Sequence, residues 1–221
     1  DIVDVAVCDS YTFPEILGTG LTGNEAFYTG AGGTGTAYLE GASYTTAGTT
    51  RFYIYDATGT TPNCLSEEDY EVTINTTPVV SDIVDLEVCD SYTFPEILGT
   101  GLTGNESYYT EVGGTGTAYL EGATYTTVGA TRFYIYDATG TTPNCLSEED
   151  YEVTINTTPV VSDIVDLEVC DSYTFPEILG TGLTGNEAFY TGAGGTGTAY
   201  LEGASYTTAG TTRFYIYDAT G

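Results

Sequence analysis

Histidine, lysine, methionine and tryptophan are all missing from this 221-residue chain, and three arginines stand against 32 acidic residues. Without histidine, the chain lacks the usual general base at neutral pH and the commonest metal ligand. With a formal charge of −29, it has no basic surface to neutralise phosphates, which excludes nucleic acid and anionic membrane surfaces as partners. Apolar runs span only a few residues, Phe52 to Tyr55 being typical, so no membrane insertion is predicted. The first residues are acidic rather than a basic stretch followed by an apolar one, so no signal peptide is visible. Most enzyme classes fall with these absences, and the chain reads as a non-enzyme. What is present are 29 glycines, 21 tyrosines and 41% hydrophobic residues. An acidic disordered tail would lack those aromatics, so the chain can bury a core.

The organising feature is a repeat. CDSYTFPEILGTGLTGNE begins at Cys8, at Cys89 and at Cys170, a period of 81 residues. Residues 1–81 and 82–162 differ at nine positions, among them Val5/Leu86, Ala6/Glu87, Phe27/Tyr108 and Gly30/Glu111. Residues 163–221 differ from the first copy only at Leu167 and Glu168. The expected domains are therefore 1–81, 82–162 and 163–221. The third ends before its counterpart of residues 60–81, so the sequence is expected to be a window onto a longer tandem array.

Within a copy the pattern is β throughout. Val3, Val5 and Val7 alternate with Asp4 and Ala6; Tyr70, Val72 and Ile74 alternate with Glu71, Thr73 and Asn75. Tyr11 and Phe13, and Phe52 and Ile54, do the same, with shorter strands over 26–29, 36–39 and 43–46. About seven short strands in about 80 residues predict an antiparallel Ig-like β-sandwich. Residues Thr76 to Ser81 read as a linker, because Pro78 ends the last strand. So short a linker predicts a semi-rigid rod of successive domains.

Five cysteines fit one bridge per copy: Cys8–Cys64, Cys89–Cys145, and Cys170 with a partner beyond Gly221. Lasting disulfides imply an oxidising, extracellular setting. GTGLTG at Gly18 to Gly23 matches the GxGxxG spacing of dinucleotide-binding loops, but no helix follows it, so the phosphate-cradling geometry is lacking. Gly32 to Gly35 reads as a turn. Among the carboxylates, Glu67, Glu68 and Asp69 form a run that reads as a solvated face. Asp82 and Asp85, and likewise Asp163 and Asp166, flank the copy boundaries, where calcium, an oxygen-seeking ion, is the candidate cofactor.

Arg51, Arg132 and Arg213 occupy one position in each copy. Arg51 shares a strand face with Tyr53 and Tyr55, opposite Phe52 and Ile54. If the last strand lies alongside, Arg51 pairs with Glu71, and Arg132 with Glu152. Exposed tyrosines beside threonine and glycine offer a surface for polysaccharide or for neighbouring chains. Asn75, Asn105 and Asn156 head glycosylation sequons.

CDSYT-x-P, YYT-x-x-GGTGT, FYIYDATGTTPNC and a closing EVTIN strand together resemble the Ig-like repeats of very large surface proteins from gliding and related Bacteroidota. The resemblance runs along the whole chain, copy by copy. It implies a secreted, disulfide-containing adhesin or filament-forming array at the cell surface, with other copies of itself as partners. The leading functional reading is a structural stalk or extracellular fibre. The alternative is a multivalent polysaccharide-binding array, in which repetition supplies avidity.

Overall fold

Alternating β-branched and aromatic residues, cut by glycine and proline, produce regular structure that is entirely β among the described residues. The computed structural model describes residues 2–219; Asp1 and Gly221, outer limits of the first and third expected domains, lie outside the described residues. The first copy supplies β1 (Val5–Cys8), β2 (Tyr11–Thr12), β3 (Ala26–Gly30), β4 (Thr34–Tyr38), β5 (Ser43–Tyr44), β6 (Gly48–Ala57), β7 (Leu65–Asn75) and β8 (Val79–Val80). The second supplies β9 (Leu86–Cys89), β10 (Tyr92–Thr93), β11 (Gly99–Thr100), β12 (Ser107–Glu111), β13 (Thr115–Tyr119), β14 (Thr124–Tyr125), β15 (Gly129–Ala138), β16 (Leu146–Asn156) and β17 (Val160–Val161). The third supplies β18 (Tyr173–Thr174), β19 (Gly180–Thr181), β20 (Ala188–Gly192), β21 (Thr196–Tyr200), β22 (Ser205–Tyr206) and β23 (Tyr215–Tyr217).

The chain forms two compact units that share the second copy. One comprises Asp1–Val84, Phe94–Ala123 and Arg132–Tyr151; the other comprises Asp85–Thr93, Thr124–Thr131 and Glu152–Gly221.

In the first unit, a five-stranded sheet runs β4-β3-β6-β7-β1. β6 and β7 are antiparallel from Gly48 opposite Ile74 to Ala57 opposite Leu65. β1 joins the far edge in parallel, Val5 beside Val72 and Cys8 beside Asn75. A ribbon of β2 and β5 pairs Tyr11 with Tyr44. Between them lies an aromatic core. The Phe13 ring sits 4.8 Å from Phe27, 4.9 Å from Tyr38 and 5.0 Å from Phe52. Tyr70, Val72 and Ile74 are all buried, as their alternation predicts; each such side chain contributes roughly 1.5–3 kcal/mol. Tyr11 donates to the Tyr70 hydroxyl at 3.3 Å. Burial, with that bond second, pushes the Tyr70 phenol up. The unit's part of the second copy repeats the arrangement, with Phe94 at 4.8 Å from Tyr108 and 4.9 Å from Tyr119 and Phe133.

In the second unit, β9 lies parallel to the end of β16, Leu86 beside Val153 and Cys89 beside Asn156. β10 pairs with β14, β18 with β22, and β20 is flanked by β21 and β23. Phe175 is packed by Phe189, Tyr200 and Phe214 at 4.7, 5.0 and 4.9 Å. One phenylalanine just after a two-residue strand thus sits at the centre of the aromatic core in every copy.

Candidate functional site

Where one sequence copy passes into the next, specific side-chain and backbone bonds join them. β7 ends at Asn75, ahead of Pro78, which has no N–H to continue a ladder. Asp9, in the left-handed region at φ 60°, receives the Thr77 N–H at 2.8 Å and the Thr77 hydroxyl at 2.6 Å. Asp9 in turn donates its own N–H to the Asn75 carbonyl at 2.9 Å. The Thr77 hydroxyl, then its N–H, holds the Asp9 carboxyl below its ordinary range. Asp is among the few side chains that tolerate positive φ, which explains its place directly after the strand.

Thr76 to Ser81 does not remain a bare linker. Val79 and Val80 form β8 and pair antiparallel with β11 of the following copy, Gly99 opposite Val80 and Thr100 opposite Val79. The ladder extends to Ser81, which donates to the Leu98 carbonyl at 2.7 Å, and Val80 donates to the Ser147 hydroxyl at 3.2 Å. Val80 is buried. At residues 99–104 the GTGLTG string therefore receives a strand. Its glycine is a steric requirement: a Cβ on Gly99 would stand 2.2 Å from the Val79 carbonyl oxygen. The Thr103 N–H reaches the buried Asp137 carboxylate at 2.9 Å, and the Thr103 hydroxyl bonds the same group. Those bonds satisfy polar oxygens that would otherwise be costly to bury.

The second unit rebuilds this arrangement. Thr158 gives Asp90 its N–H at 2.8 Å and its hydroxyl at 2.6 Å, again holding the carboxyl low. Val160 and Val161 pair with Thr181 and Gly180. Ser162 donates to Leu179 at 2.7 Å, and a Cβ on Gly180 would lie 2.2 Å from the Val160 carbonyl oxygen.

The cysteines correct the one-bridge-per-copy expectation. Cys8 is bonded to Cys145, with Cα atoms 5.7 Å apart, while Cys64, Cys89 and Cys170 are exposed thiols. Neither Cys8–Cys64 nor Cys89–Cys145 forms. The reason is the parallel edge strand. Cys8 lies beside Asn75, at the end of β7, whereas Cys64 precedes its beginning. Eleven residues of extended chain separate those points by roughly 35 Å, against the roughly 7 Å limit between bonded Cα atoms. Cys145, carried on the following copy, is delivered instead to the Asn75 end, its sulfur 3.7 Å from the Asn75 carbonyl oxygen.

Arg51 lies opposite Glu71 in the β6–β7 register and bonds Glu71 at 2.8 Å and also Asp69. The Glu71 hydrogen bond, then the charge of Asp69, raises the guanidinium above its usual value. Arg132 bonds Asp150; the Glu152 N–H donates to Asp85 at 2.7 Å. The acidic run Glu67 to Asp69 lies inside β7 and is exposed. As for calcium, among the described residues no group of three or more acidic or cysteine side chains is placed to hold a metal ion. Asp85 is occupied as the acceptor for that backbone N–H. Asp163 lines an open depression of about 320 Å³ with Glu177, Ile164 and Leu179, and neither Asp82 nor Asp166 belongs to a ligand cluster. Of the tyrosines on the Arg51 face, Tyr53 and Tyr55 are half-buried. Tyr55 meets Tyr28 edge-on at 6.1 Å. No helix among the described residues is long and apolar enough to cross a membrane.

No protein-family profile and no curated protein matches the chain. Solved structures with partial likeness include protocadherin gamma B2 extracellular cadherin domains 3–6, at 12% identity over 90% of this chain and 59% of that one, TM-score 0.35. PcdhgB3 EC1-4 gives 10% identity over 93% and 65%, TM-score 0.35. Mouse clustered PcdhgC3 EC1-3 gives 13% over 59% and 52%, TM-score 0.29. The chain thus spans between half and two thirds of the length of these structures, and likeness at that level does not extend to a shared function.

Proposed function

We propose that the chain is part of an extracellular structural array in which Ig-like copies, bounded near residues 81 and 162, are joined end to end, and that the joining is the function. The observation supporting this reading is the copy-to-copy contact itself: the segment leaving one copy becomes a strand of the next, against a loop whose glycine admits nothing larger. A disulfide across the first such contact suits an oxidising, extracellular setting. Net charge of −29 keeps parallel chains apart at low ionic strength and lets added salt bring them together. The resulting object is a semi-rigid stalk or filament, adhesin-like in placement and without enzymatic activity. Electron microscopy of the purified protein and of native material tests this. Linear particles whose axial period matches one copy support the array; isolated globules without linear order refute it.

A further inference from the structure

The two copy-to-copy contacts share their aspartate–threonine bonds and their valine ladder and differ at sulfur. In both, the aspartate after the edge strand holds a threonine at 2.8 and 2.6 Å. In both, the serine after the valine pair donates to a leucine carbonyl at 2.7 Å. At the first, Cys8 is closed by Cys145. At the second, Cys89 occupies the place of Cys8 and is an exposed thiol. The partner loop keeps the same hydrogen bonds with and without the disulfide. In the second copy, Gly140 donates to the Asn144 side chain at 2.8 Å and Cys145 to the Thr139 hydroxyl at 3.0 Å. In the first copy, where Cys64 is unbonded, the same contacts measure 2.9 and 3.0 Å.

We propose that Cys89 is the acceptor half of the same bond, closed by the cysteine of a Thr-Thr-Pro-Asn-Cys loop on a copy that follows in register. Every copy-to-copy contact then carries one disulfide. By the same 81-residue translation, Cys64 is a donor half for a preceding copy and Cys170 an acceptor for a later one. This rests on the array reading. Formation is thiol–disulfide exchange: the Cys89 thiolate attacks a disulfide held by the incoming cysteine, the new S–S bond forms, and the displaced thiolate leaves and takes up a proton.

The test uses the 221-residue protein with Cys8–Cys145 intact and a synthetic peptide of residues 60–75, TTPNCLSEEDYEVTIN. Its cysteine is activated as a mixed disulfide with glutathione, which supplies the leaving thiolate. The third copy lacks a counterpart of β7, so the peptide can complete its sheet and bring the activated sulfur to Cys89. Mapping by mass spectrometry is expected to find the peptide on Cys89 about tenfold or more over Cys64 and Cys170, because docking raises its local concentration. Cys89→Ser abolishes that adduct, and a scrambled peptide keeping its cysteine labels the three thiols alike. If the intact peptide labels all three equally, or favours Cys170, the disulfide proposal is overturned while the array stands. If it neither reacts nor raises the melting temperature, both are overturned.

Discussion

Residues 18–23 and 99–104 have the same sequence, GTGLTG, and adopt different structures. In the second copy Gly99 and Thr100 are a strand, paired with Val80 and Val79. In the first, Gly18 and Thr19 are in no strand, and Leu17 is 81% exposed. The two cysteine loops differ likewise: Cys64 is exposed, while Cys145, in an identical local sequence, is 2% exposed and bonded. Local propensity cannot distinguish either pair. A preceding copy can, since it supplies both the valine strand and the sulfur. The interactions that set the second copy apart are thus those it makes with the copy before it.

The comparison breaks most visibly at sulfur. Cys145→Ser opens a bond spanning 137 residues of sequence, worth about 5 kcal/mol on the chain-entropy account. Thermal unfolding is expected to shift strongly downward, and Cys64→Ser to leave the midpoint unchanged; equal effects would mean the two loops are equivalent after all. Next comes the glycine pair. Gly99→Ala drives a Cβ into the Val79 carbonyl, and forced overpacking costs about 1–3 kcal/mol. Gly18→Ala meets only the Leu21 side chain, at 3.0 Å, which has room to shift, so denaturant midpoints should separate the two variants.

The acid side sharpens a third contrast. Asp9 and Asp90 have carboxyl groups held low by threonine, so their contribution is complete above the unfolded value of about 3.9. It is lost as pH falls through the lower folded value. Asp9→Asn should therefore flatten the fall of melting temperature between neutral and strongly acid solution. Asp171→Asn, at the equivalent place but without such a threonine bond among the described residues, should not. The smallest effect belongs to arginine. Arg51→Ala removes a solvent-exposed pairing, and such pairings contribute little to stability. Arg213→Ala, with no ion pair among the described residues, should be silent, and molar salt should erase the difference.

Period-two alternation identified the strands well, because burial on one face leaves its mark on every second residue: Phe52, Tyr70, Val72 and Ile74 all lie in the core. The Arg51–Glu71 pair followed from the same alternation once β6 and β7 were neighbours. Disulfide pairing did not follow. Nothing in the spacing from Cys8 to Cys64 reveals that β1 lies parallel to β7, and direction decides which end each sulfur reaches. Val79 and Val80 read as linker because proline precedes them, yet strand formation there needs only a partner, supplied 20 residues later by glycine. Asp9 and Asp137 drew no attention, since a lone aspartate in a chain of 32 acids has no pattern to mark it; the positive φ of Asp9 and the burial of Asp137 are visible only in three dimensions.

The Cys8–Cys145 bond also changes what pulling on the ends could do. Everything between those two sulfurs is a closed covalent ring, so tension travels through the cystine and cannot draw the enclosed stretch out unless the bond is cut first. A single protease nick inside the ring would leave both pieces attached and the load path whole.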